Sequence, residues 1–203
     1  MSRFVVTGTD TGIGKTAFSA GLAGMLGAQY WKPVQAGLDG PTDSEVVAGL
    51  SGVDIIPEAY RLKLPASPHQ ASAEENVEID CDSLNPPASA PLVIEGAGGL
   101  MVPLTRQTLF IDVFARWGLP VILCARTSLG TINHTLLSIE AIRARGIPLL
   151  GVAFLGEAQE ESEGIIMERT GVKRLGRLPP ITPLTAGRLA GVFSRVFARE
   201  DFA

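Results

Sequence analysis

The sequence predicts an α/β protein: a doubly wound, mostly parallel sheet with helices on both faces. Three observations predict it. Short runs rich in Val, Ile and Leu recur along the chain, separated by stretches of helical periodicity. One of those runs, residues 119–124, is almost continuously apolar, as a strand covered on both faces should be. The first run breaks into a glycine-rich loop and then into a helix, the opening unit of many such sheets. With 203 residues, 46% of them hydrophobic and 19% charged, the chain suits one globular domain spanning 1–203.

Phe4-Val5-Val6 reads as the first strand, and Phe18, Leu22, Met25 and Leu26 mark a helix over residues 17–26. Residues 29–34 read as a second short strand. Residues 37–42 are turn-rich in Gly, Pro and Asp. A short helix follows over residues 43–50, capped by Thr42 or Asp43. Residues 53–64 are irregular, with an edge strand near residues 59–62. Ser67-Pro68 opens a short polar helix reaching about Asn76. Residues 85–91 form a loop rich in Pro, Ala and Ser. Strands at residues 91–94, 119–124, 148–155 and 172–178 then alternate with helices at residues 109–117, 131–145, 160–170 and 184–199. That alternation implies crossover connections and parallel strands.

Between the first strand and first helix lies Gly8-Thr9-Asp10-Thr11-Gly12-Ile13-Gly14-Lys15-Thr16. Strand, glycine loop, Gly-Lys-Thr and helix make a phosphate-binding loop, so the predicted fold is P-loop NTPase-like. Glycines let backbone N–H groups turn toward an anion, and the helix start adds its positive dipole end. Gly12, Ile13, Gly14 and Ala17 belong to this cradle. Lys15 can reach the β- and γ-phosphates, and the Thr16 hydroxyl can bind Mg²⁺. Five residues, rather than the usual four, separate Gly8 from Gly14.

Ligands of doubly wound sheets bind at the carboxyl ends of strands. Leu92-Val93-Ile94-Glu95 is an apolar strand ending in an acid, suited to holding Mg²⁺. Asp43 and Thr16 are the further candidate oxygen ligands. Lys32, at the end of a short strand, places a second cation near the γ-phosphate. His69 reads as a structural hydrogen-bond partner. The helix start at Leu129, Gly130, Thr131, Ile132 and Asn133 has free N–H groups that can hold a carboxylate.

Net charge is −4 with no Lys/Arg block, which leaves no electrostatic case for nucleic acid or an anionic membrane. No run of 18 apolar residues occurs, so no membrane-spanning helix is expected. The chain runs straight into its first strand, leaving no room for a signal peptide, and a cytoplasmic location is expected. Cys81 and Cys124 match no metal spacing and are expected to be reduced thiols.

The phosphate loop, Lys32-Pro33-Val34, Ser67-Pro68-His69, Glu95-Gly96-Ala97-Gly98-Gly99 and Leu129-Gly130-Thr131-Ile132-Asn133-His134 together resemble the dethiobiotin synthetase family. The blocks stand in that family's order, cover nearly the whole chain, and share its longer loop. The resemblance implies a homodimeric enzyme of biotin synthesis that uses ATP and Mg²⁺. It would join CO₂ or bicarbonate to 7,8-diaminopelargonate and close a ureido ring, through a carbamate and a carbamic-phosphoric anhydride. It also implies the residue roles. Thr16, Asp43 and Glu95 would bind Mg²⁺. Lys15 and Lys32 would steady the carbamate and the transferring phosphoryl group, with Thr11 and Lys32 near the diamine. Gly96, Ala97 and Gly98 would line the nucleotide site. Leu129 to Asn133 of a partner subunit would grip the far carboxylate. Two departures from the family pattern are visible, at Ala36 and at the pair Leu155-Gly156. Ala36 replaces a hydroxyl residue near the substrate. Leu155 and Gly156 stand where Asn and Asp commonly read adenine; this pair and backbone groups of Pro179, Pro180 and Ile181 are the candidates for touching the base.

A partitioning-type switch ATPase with protein or DNA partners is the rival on the same fold. It carries a signature Lys five residues before the loop Lys, where this chain has Asp10. A cobyrinate-type amidotransfer synthetase needs a glutaminase domain, for which 203 residues leave no room.

Overall fold

The computed structural model describes residues 2–202. In chain order the elements are β1 (Arg3–Gly8), α1 (Lys15–Leu26), β2 (Gln29–Trp31), β3 (Val34–Ala36), α2 (Asp43–Ser51), β4 (Ile55–Ile56), β5 (Tyr60–Leu62) and α3 (Pro68–Glu74). There follow β6 (Leu92–Glu95), α4 (Phe110–Trp117), β7 (Val121–Arg126), α5 (Thr131–Ala144), β8 (Leu149–Leu155), α6 (Glu160–Thr170), β9 (Arg174–Leu178) and α7 (Ala186–Val196). A 3₁₀ turn, Arg199–Phe202, closes the described chain.

Seven strands pair in the order β4-β2-β6-β1-β7-β8-β9, and every pairing among them is parallel. Alternation along β1 shows how both faces are covered. Phe4 and Val6 pack into one core with Phe18 of α1, Val47 of α2 and Phe193 of α7. Val5 packs into the other, with Phe110 and Phe114 of α4, Ile139 of α5 and Ile166 of α6. Side chains along a strand alternate faces, so a strand buried on both sides must be apolar at nearly every position. β1 sits in the middle of the sheet and switches the order of the strands beside it, which puts its carboxyl end at a topological switch point.

The region around residues 29–64 differs from the sequence expectation. Residues 29–34 are not one strand. β2 stays in the main sheet, whereas β3 pairs with β5 in a separate two-stranded sheet, Val34 opposite Tyr60. The reason is Pro33, which has no N–H to give a ladder. Its carbonyl instead accepts the N–H groups of Ala59 and Tyr60, at 3.0 and 3.1 Å, which starts the new pairing. One edge of the main sheet is the short β4, inside the segment expected to be irregular, and residues 60–62 belong to the small sheet. α7 is also shorter than expected at both ends.

Thr42, not Asp43, is the cap of α2. Its hydroxyl accepts the Glu45 N–H at 3.3 Å, and the Glu45 carboxylate accepts the Thr42 N–H at 2.8 Å. Asp43 is therefore the first helical residue, and its carboxylate is available for other partners.

Candidate active site

The loop between β1 and α1 wraps around the start of the helix. Gly14, the residue before α1, has φ 101°, a left-handed conformation that a side chain would strain. Lys15 folds back over the loop and donates from Nζ to the Asp10 carbonyl at 2.9 Å. Burial lowers its pKa, the neighbouring Lys32 charge pushes the same way, and Glu95 opposes both. An anion seated in the loop would relieve that cost. Asp10 is held from two sides. Its Oδ1 accepts the Thr11 N–H at 2.7 Å, and its Oδ2 lies 3.4 Å from an Arg126 guanidinium nitrogen at the end of β7.

Beneath the loop, three elements bring oxygen ligands to one point. Thr16 Oγ1 lies 2.9 Å from Asp43 Oδ1 and 3.2 Å from Glu95 Oε1. Thr16 comes from α1, Asp43 from the first turn of α2 and Glu95 from the carboxyl end of β6. Glu95 is only 1% exposed, so it is no solvated strand-end acid. Lys32, 3% exposed, pairs with Asp43 Oδ2 and lies 3.2 Å from Glu95 Oε1. Burial by itself would lower the Lys32 pKa, but the Glu95 and Asp43 carboxylates outweigh it and raise the ammonium above its ordinary value. Burial raises the Asp43 carboxyl, and the Lys32 ammonium outweighs that, leaving it below the usual carboxylate value. Both partners therefore stay charged, and the pair survives across the neutral range.

A cleft of about 420 Å³ opens beside this cluster, lined by Thr11, Lys32, Ala36, Asp43, Ala97 and Gly98 among others. Gln35 and Ser67 also face it. The sequence motifs single out neither of these for a substrate role. Gln35 Oε1 accepts the Asp43 N–H at 3.3 Å, tying the small sheet to α2. His69 is held through its Nδ1 by the Ser67 hydroxyl at 2.9 Å, the structural role expected of it.

A second cleft, about 240 Å³, lies against the outer side of the loop. Ile13, Gly14 and Ala17 form one wall, and Leu155, Gly156, Pro179, Pro180 and Ile181 form the other. The residues expected at the base are thus gathered in one place. Gly156 has φ 130°, and a Cβ there would stand 2.4 Å from the Thr127 hydroxyl, so glycine is required. Leu129 to Asn133 line neither cleft within this chain. Gly130 precedes α5 without a side-chain cap, and Leu129 is wholly exposed. Tyr30, whose hydroxyl donates to Glu95 Oε2 at 3.0 Å, and Arg126, beside Asp10, are site residues that the sequence motifs do not single out. Arg126 left a readable signal, an arginine ending an otherwise apolar strand. Tyr30 left none, because an aromatic in a short apolar strand reads as core.

A parallel sheet with a glycine loop, a buried lysine and a hydroxyl-carboxylate cluster at one switch point defines a P-loop nucleotide-binding protein. Residues 2–188 match the family described as an AAA domain. The fold is similar to the septum site-determining protein MinD complexed with Mg-ADP from Pyrococcus horikoshii, with a TM-score of 0.57 at 14% identity, covering 95% of this chain and 93% of that one. It is likewise similar to a ParA family ATPase from Chlorobium tepidum, with a TM-score of 0.56 at 11% identity over 95% of each chain. At such identity the likeness is one of fold alone. The sequence discriminates further. The ATP-dependent dethiobiotin synthetase of Sphingopyxis alaskensis is 59% identical over 100% of both chains. That of Rhodopseudomonas palustris strain TIE-1 is 62% identical, covering 99% of this chain and 97% of its own. The enzyme of the same name from Brucella anthropi is also 62% identical, over 96% of this chain. This chain belongs to the ATP-dependent dethiobiotin synthetase family.

Proposed function

We propose that this chain is an ATP-dependent ligase that makes dethiobiotin, carboxylating 7,8-diaminopelargonate with CO₂ and closing the ureido ring. Its near-60% identity to dethiobiotin synthetases over the full length supports the activity. The observation that carries the mechanism is the placement of Lys32. It lines the cleft that also holds Thr11 of the phosphate loop and Ala36, and it is paired with two carboxylates. An amine in that cleft forms a carbamate, an anion that must approach the γ-phosphate. Lys32 and Lys15 offset the charge between them and hold the reacting groups together. The carbamate oxygen attacks the γ-phosphorus, and ADP leaves. The second amine then attacks the carbonyl carbon of the mixed anhydride, C–N bond formation closes the ring, and phosphate leaves. The protein supplies position and charge rather than a covalent nucleophile.

Thr16, Asp43 and Glu95 fit Mg²⁺. They present a hydroxyl and carboxylate oxygens to one point, the hard donor set that ion takes. When bound, Mg²⁺ supplies charge neutralisation of the nucleotide phosphates. We further propose a cytoplasmic enzyme, because its substrates are small polar metabolites; among the described residues no helix is long and apolar enough to cross a membrane. The test incubates the protein with ATP, Mg²⁺, bicarbonate and 7,8-diaminopelargonate and looks for the cyclic urea by mass. Product is expected from the parent, and Lys15→Ala should cut turnover on the order of 10²-fold with the fold intact. No cyclic urea from folded parent protein would overturn the assignment.

A further inference from the structure

Glu95 uses its two oxygens differently. Oε1 lies 3.2 Å from Thr16 Oγ1 and 3.2 Å from Lys32 Nζ, facing the cation cluster. Oε2 accepts a hydrogen bond from the Tyr30 hydroxyl at 3.0 Å. Both residues are buried, Glu95 at 1% and Tyr30 at 0% exposure. Among the described residues, Tyr30 is the donor recorded on Oε2.

The pairing of β2 with β6 explains why a tyrosine reaches so far. Tyr30 lies opposite Val93, and Val93 and Glu95 share a face of β6. The phenol ring packs in the same core as Val93, Phe18 and Val47. A ring wedged there has little freedom, so its hydroxyl arrives at a fixed point. A glutamate side chain, by contrast, turns about several torsions, and a carboxylate needs both oxygens satisfied when buried. A phenylalanine would fill the same space and leave Oε2 without a partner.

We propose that Tyr30 is a positioning residue: its hydroxyl holds Glu95 Oε2 and thereby directs Oε1 to the cation site shared with Thr16 and Asp43. The inference rests on the Mg²⁺ reading of that cluster. Groups that orient metal ligands through their far side commonly set metal affinity by about 10–100-fold.

The test titrates Mg²⁺ against protein saturated with a non-hydrolysable ATP analogue and follows the rise in thermal midpoint, which reports apparent affinity. Tyr30→Phe should weaken Mg²⁺ binding by about tenfold or more. Nucleotide affinity without Mg²⁺ should hold within about twofold, because the phosphate loop is untouched. A Tyr30→Phe variant that binds Mg²⁺ like the parent, while losing only stability, overturns the proposal and leaves Tyr30 a core residue. Glu95→Gln separates the two readings. If it leaves Mg²⁺ affinity unchanged, the cation site itself is wrong. If it weakens Mg²⁺ and Tyr30→Phe does not, only the positioning role fails. A second measurement keeps the phenol hydroxyl at position 30 and adds only a fluorine beside it. The chain has two tyrosines, so Tyr60→Phe protein grown on 3-fluorotyrosine carries a single fluorine signal at Tyr30. That signal should move as Mg²⁺ is added to the nucleotide complex, and a stationary signal at saturating Mg²⁺ overturns the proposal.

Discussion

We propose that the cleft lined by Leu155 and Gly156 takes the nucleotide base, and these two residues then limit what it can read. Leu155 is buried and offers no hydrogen-bonding group. The Gly156 N–H is spent on the Leu178 carbonyl at 3.0 Å, and the Leu155 carbonyl accepts the Thr127 N–H at 3.2 Å. Pro179 and Pro180 have no N–H to give. Not one side chain lining this cleft carries a donor or acceptor. A pocket without paired polar groups discriminates weakly between hydrogen-bonding patterns. The triphosphate, held by the loop, then carries most of the binding. kcat/KM for GTP or CTP is expected within about tenfold of ATP, a gap of roughly 1.4 kcal/mol in transition-state binding. The four nucleoside triphosphates compared at saturating diamine and bicarbonate decide it. An ATP preference above about a hundredfold, roughly 2.7 kcal/mol, would mean that backbone groups near Ile181 read the base.

At the scale of elements, α2 matters because its first turn carries a site carboxylate. The capping box of Thr42 and Glu45 sets where the helix begins, and therefore where Asp43 points. Thr42 is 3% exposed, so its loss is not made good by water. Thr42→Ala should cost about 1 kcal/mol. For a chain of this size that is a fall of about 2–4 °C in thermal midpoint. Turnover should fall as well, since Asp43 pairs with Lys32 and Thr16. Calorimetry and the ring-closure assay on the same preparation check both. A variant with the parent's midpoint and turnover would show that packing of α2 against α1, not its cap, positions Asp43.

For the whole molecule, the unanswered demand is a set of exposed apolar side chains, two of them beside the phosphate loop. Leu129 is 100% exposed, Leu137 56% and Met101 53%. Leu137 and Met101 line a shallow cleft that also touches Thr9, Asp10 and Thr11 of the phosphate loop. Exposed apolar groups gathered beside a site mark an interaction surface. We propose that a second copy covers them in a two-fold dimer, bringing the free helix start at Leu129 to Asn133 toward the other subunit's cleft. Light scattering should report a mass near twice the 21.4 kDa of the chain. Leu137→Glu should shift the protein toward monomer and reduce turnover together. A fully active monomer refutes the assembly.

The sequence by itself determined the α/β class, the phosphate loop and the family. Each of these is written locally. Apolar runs mark strands, helical spacing marks helices, and Gly-Lys-Thr after a strand marks an anion site. It also named Thr16, Asp43 and Glu95 together as candidate Mg²⁺ ligands, with Lys32 as a cation near the γ-phosphate. Only the tertiary structure decided the distances at which these four meet. Thr16 and Glu95 are 79 positions apart, and what joins them is the parallel pairing of β1 with β6, which lines up the carboxyl ends of both strands. The same holds for the split of residues 29–36 into two sheets. Pro33 signals a break in the ladder, but the strand that receives β3 lies beyond α2 and could not be read locally. Tyr30 lies furthest from what sequence can tell. Its role comes from a hydroxyl that meets a carboxylate across a strand pair, and hydrophobic patterning records the ring and is blind to its oxygen.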